Sequence, residues 1–172
     1  MTKPWVITEK IIASLQIILG LTLIYIIFYS NIVTIEYYLN DSNLGWKYLS
    51  FYKIFKNNFL PLFKALLFLT SGILLIKNHS KGWIIGFTMW FSFGIISLQY
   101  ILKLLQQGHI VWRNLEYLYL ILLMILFFTN AILLNAKEFR KKYKPNWQSP
   151  KNWSIVLIIV ILTTIDTCKI WL

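Results

Sequence analysis

The stretch IIASLQIILGLTLIYIIFYSNIVTI, residues 11–35, runs for 25 positions without a charged side chain. A helix needs about 20 such residues, at roughly 1.5 Å each, to cross the hydrocarbon of a bilayer. Two further blocks repeat the pattern, residues 82–102 with 21 uncharged positions and residues 117–136 with 20. Apolar residues make up 58% of the chain and charged residues 13%, against shares near 45–50% and 25% in soluble domains. The sequence therefore reads as a polytopic, all-α integral membrane protein.

Five spans are predicted, at about residues 11–29, 59–76, 83–102, 118–134 and 153–172, in one membrane domain; a four-span count is the alternative. The first block is longer than the apolar core of a signal peptide and no small-x-small site follows it, so it reads as a retained span. Only twelve residues separate Lys64 from Lys77, about 18 Å of helix. A start near Phe59, with Pro61 in the tolerant first turn, leaves Lys64 to snorkel to the headgroups. The last segment carries Asp166 and Lys169 three positions apart. An ion pair at the membrane rim accounts for both.

The basic residues give an orientation. With five spans, ten Lys and Arg fall on the amino-terminal side and seven on the other. The run KEFRKKYK, residues 137–144, concentrates Lys137, Arg140, Lys141, Lys142 and Lys144 on the first side. A cytoplasmic amino terminus, an outside carboxyl terminus and an inner-membrane location are expected. The net charge of +11 is assigned to anionic lipid headgroups, with those five residues as their contacts, and no nucleic-acid partner is expected. In the first outer loop, residues 44–57 read as an interfacial helix. Its aromatics, among them Trp46, Tyr52 and Phe55, lie among lysines, as rings with polar tips do at headgroup depth. They also suit a docking surface for a partner.

LFLTSGILL (67–75) and LFFTNAILL (126–134) agree at six of nine positions, and KGW (81–83) and KNW (151–153) open the segments that follow. Residues 59–103 and 118–172 are thus a candidate parallel repeat, with Thr70–Ser71 and Thr129–Asn130 as a candidate polar belt. Gly82, Gly86 and Gly94 recur at four- and eight-residue spacing in the third span, where small residues admit close helix approach. Packing within the bundle is the first reading and an oligomer seam the second. Asn130 and Gln99 are read as bonding across helices.

The chain has one cysteine, Cys168, and two histidines, His79 and His109, which five spans put on opposite sides. No internal disulfide, zinc cluster or bis-histidine haem site is expected. H-E-x-x-H, G-x-S-x-G and Walker signatures are missing. No enzyme, cofactor or metal is anticipated. The candidate functional polar residues are Asp166, Lys169, Lys64, Asn130 and Gln99. Two functions compete. One is a contact protein, an accessory subunit or an immunity or defence factor working on a membrane-embedded partner or on itself. The other is a small oligomeric channel or transporter. The Lys-, Asn- and Ile-rich composition resembles that of immunity proteins for pore-forming bacteriocins, which implies action by contact.

Overall fold

The computed structural model describes residues 3–40, 50–106, 115–145 and 149–171, with backbone alone for 115–116 and 164–171. Every element among them is an α-helix: α1 Lys3–Asn40, α2 Phe51–Ile76, α3 Ser80–Gln106, α4 Leu115–Leu134, α5 Lys137–Tyr143 and α6 Pro150–Trp171. Four of these, α1 to α4, contain windows long and apolar enough to cross a membrane. The protein is a helical membrane bundle. Among the described side chains, the apolar part of α6 is Pro150–Thr163. Asp166 and Lys169 lie on the α6 backbone, and their expected ion pair falls outside the described side chains.

α1 and α2 form an antiparallel hairpin, α3 packs on α2, α4 and α6, and these pairs carry the main helix contacts. The core joins Ile12 and Ala13, Phe68 and Leu75, Trp83 to Trp90, Phe127 to Leu134, and Ile159. Glycines set the hairpin spacing. A Cβ on Gly72 would lie 2.7 Å from the Ala13 carbonyl oxygen, and one on Gly20 would lie 2.9 Å from that of Ala65. Backbones that close leave room for hydrogen only, which strengthens dispersion between helices in a solvent without a hydrophobic drive.

The second helix departs from expectation. It starts at Phe51, capped by Ser50, whose hydroxyl accepts the Lys53 N–H at 3.3 Å. Pro61 is ten residues inside it rather than in its first turn. Residues 51–57, expected to be part of a separate interfacial helix, are its opening turns; the rest of that segment, Trp46 included, lies outside the described residues. At its other end α2 stops because Asn78 adopts φ 56°, the left-handed conformation that asparagine tolerates better than most residues. His79 N–H then bonds the Leu74 carbonyl at 2.8 Å, and the His79 Nδ1 accepts the Lys81 N–H at 3.2 Å as α3 begins.

The two halves of the candidate repeat pack differently. Trp83 is 1% exposed, and its indole N–H donates to the Leu134 carbonyl at 2.6 Å, satisfying an orphan acceptor at the end of α4. Trp153, its counterpart in the sequence, is 51% exposed.

Candidate functional site: a closed end, a polar core and an open end

The hairpin divides along its length. Its first half, Glu9 to Gly20 of α1 with Lys64 to Leu75 of α2, holds all the buried residues of both helices. No residue between 21 and 40, or between 51 and 63, is buried.

At the closed end, Glu9 is 5% exposed. Lys142 of α5 reaches its carboxylate at 2.5 Å, and the Tyr143 hydroxyl donates to the other carboxylate oxygen. Lys142 also donates to the Asn78 side chain. A charge taken out of water needs such neighbours, since desolvation otherwise outweighs any gain. The short α5 can deliver them because Phe139 and Tyr143, one turn apart, are buried, with Phe139 edge-on to Trp5 at 5.6 Å. Lys142 was expected at lipid headgroups. It clamps α1 to the α2–α3 turn and, like Lys137, Arg140, Lys141 and Lys144, keeps exposed surface.

The polar core begins two turns deeper. Gln16 is 0% exposed, wedged between Gly72 of α2 and Gly86 of α3. Neither of its amide atoms has a hydrogen-bond partner, nor has the indole nitrogen of Trp90. Lys64, expected to snorkel outward, is 5% exposed within the bundle, with its ammonium 5.9 Å from the centre of the Phe93 ring. The early start of α2 explains this: it sets Lys64 thirteen residues into the helix, on the stripe shared with Ala65, Phe68 and Ser71 that faces α1 and α3.

Hydroxyls and amides elsewhere mostly bond their own helices. Asn130 donates to Leu126 at 2.8 Å, correcting the expectation of a cross-helix bond. Ser71 and Thr70 likewise turn back to carbonyls of α2, and α2 and α4 are not among the main packed pairs. The Gln99 side-chain oxygen is buried without a partner rather than bonded to a neighbouring helix. The glycines of α3 act inside the bundle: Gly82 meets Leu74 and Leu75 of α2, Gly86 meets Gln16 of α1, and Gly94 meets Phe128 of α4.

The open end is aromatic. An amide pair, Asn58 Nδ2 donating to Asn31 Oδ1 at 2.7 Å, ties the helices where the charge-free part of α1 runs out. Beyond it, Tyr37, Phe51, Tyr52 and Phe55 are exposed, Tyr52 at 75%. Lys53 and Lys56 stand among them. α1 alone has 38 residues, about 57 Å of helix, against roughly 40–45 Å for a whole bilayer with its headgroups. The turns beyond the Asn31–Asn58 pair, residues 32–40 of α1 and 51–57 of α2, form an aromatic arm.

Sequence reasoning missed the Glu9–Lys142 clamp and the Gln16 wedge. The signal for the first was a run of lysines interrupted by Phe139 and Tyr143 at one-turn spacing. For the second it was a glutamine four residues before Gly20 in an otherwise aliphatic block. His109, Arg113 and the Glu116 side chain lie outside the described parts. Among the described residues no group of three or more His, Cys, Asp or Glu side chains could hold a metal. No protein-family model, curated protein or solved structure matches the chain.

Proposed function

We propose that this is a non-enzymatic, multi-pass protein of the inner membrane that works by contact with a membrane-embedded partner, as an accessory subunit or an immunity or defence factor. The aromatic arm is the contacting element. One observation carries the reading: the part of the α1–α2 hairpin beyond the Asn31–Asn58 pair presents large rings that the chain's own helices leave uncovered. Tyrosine and phenylalanine supply much contact area at little conformational cost, and they are the residues enriched where proteins meet. The amino terminus and α5 face the cytoplasm in this proposal, following the bias of the basic residues.

A photo-crosslinking amino acid at Tyr52 tests it in cells. The proposal expects a discrete protein adduct there and none at Ile132, a lipid-facing position of α4. The triple change Tyr37→Ala, Tyr52→Ala, Phe55→Ala should remove the adduct's partner from pull-downs without lowering membrane insertion. Lipid-only adducts at Tyr52, or unchanged co-purification of the triple variant, would refute it.

A second reading, a small channel or carrier, is favoured by Lys64 and Gln16 within the bundle, because ionisable and amide groups at membrane depth often line solute routes. Purified protein in liposomes decides it. Flux that drops in Lys64→Ala supports a route; no flux above empty liposomes removes it.

A further inference from the structure

We infer a binding site for one anionic phospholipid at the closed end, built by α1 together with the α2–α3 turn and α5. Two adjoining grooves carry the inference. The first, of about 420 Å³, is bordered by Lys10, Lys142 and Asn78 on its polar side and by Val6, Ala13 and Ile76 on its apolar side. The second, of about 310 Å³, runs along α1 from Ile7 past Ile11 and Leu15 to Ile18. Lys10 borders both.

The shape fits a phosphodiester head with an acyl tail. Glu9, the one acid in the first groove, has its carboxylate bonded by Lys142 and Tyr143. Lys10 is exposed and forms no ion pair among the described residues. A phosphate there meets the Lys10 ammonium with the Lys142 ammonium close by. Basic grooves between helix ends at a membrane surface select anionic headgroups in this way. From Ile7 to Ile18 the second groove extends about 16 Å along the helix axis, roughly half the hydrocarbon thickness and so one leaflet. Ile7, Ile11 and Ile18, which line it, are exposed to whatever surrounds the bundle. A free phosphate uses only the first groove; a phospholipid uses both. The site differs from the exposed basic face of α5, whose Lys137, Arg140, Lys141 and Lys144 border neither groove.

Native mass spectrometry of the detergent-purified chain tests this with phosphatidylglycerol and phosphatidylcholine of identical acyl chains. The inference expects preferential retention of phosphatidylglycerol and a loss of about fivefold in Lys10→Gln, the factor one surface lysine contributes to anionic-lipid binding. Lys141→Gln should bind as wild type. Ile11→Trp, which fills the second groove, should lower retention of both lipids. Equal retention of the two lipids, or equal losses in Lys10→Gln and Lys141→Gln, would overturn it. So would displacement by the deacylated headgroup or by a polyglutamate peptide at the lipid's own concentration, which would assign the site to a soluble phosphate or to an acidic segment of a partner.

Discussion

The two halves of the α1–α2 hairpin are built from similar aliphatic residues and behave in opposite ways. The closed half packs on itself: glycines at 20 and 72 let backbones touch, Gln16 fills the junction with α3, and Glu9 is clamped from α5. The open half has no glycine and places rings where the closed half has small residues, so side chains stand outward. Small residues make a helix pair, and large aromatic ones leave it available to others. In this chain, hydrophobicity places the helices in a membrane, while side-chain size decides which parts are finished and which still have a face to cover.

Breaking the closed half should have the largest effect. Gly72→Leu forces side-chain atoms into the Ala13 carbonyl and the Ile17 side chain. Overpacking costs about 1–3 kcal/mol and occasionally more, and backbone on one side leaves little to yield, so the upper end is expected as a fall in thermal stability in detergent. Glu9→Ala comes next. Among the described residues, it leaves the Lys142 ammonium with Asn78 alone and the Tyr143 hydroxyl with only the Leu75 carbonyl at 3.4 Å. A loss of about 2–3 kcal/mol is expected, below the full value for a buried pair because Lys142 retains 27% exposure. A double-mutant cycle with Lys142→Met should show strong coupling between the two.

Smaller effects sharpen the contrast. Gln16→Met keeps the volume of the wedge and removes two buried, unpartnered amide atoms. A gain of about 1 kcal/mol is expected, since an unsatisfied amide costs roughly that or more; a loss would mean the amide has a partner in the membrane. Smallest of all, Tyr52→Ala or Phe55→Ala in the open half should change stability by less than about 0.5 kcal/mol, as exposed positions do. An open half that is as sensitive as the closed one would erase the distinction.

Much of this was legible in the residues. Charge-free blocks of 20 residues or more announced α1, α3 and α4 directly, because hydrocarbon tolerates little else. The glycine spacing of α3 announced close packing, and Gly82, Gly86 and Gly94 each meet a neighbouring helix. The aromatics at 51–59 were visible as a surface, though not as the opening turns of a spanning helix. There Pro61 misled: it looked like a first turn, while Ser50 supplied the cap eleven residues earlier. Lys64 then seemed to belong at a rim. Lys142 was hidden for a different reason. Its partner is 133 residues away, and a run of lysines gives no sign of which one turns inward; that depends on how α5 settles on Phe139 and Tyr143 against α1.

The most direct measurement is collision accessibility of spin labels in a reconstituted bilayer, in a Cys168→Ser background. Single cysteines replace Ala13, Ile26 and Tyr52 in turn. The label at 13 should be shielded from both oxygen and a water-soluble nickel chelate. At 26 it should meet oxygen alone, and at 52 the chelate. A label at 52 shielded from both reagents, or a label at 26 that the chelate reaches freely, would contradict a membrane bundle closed at one end and open at the other.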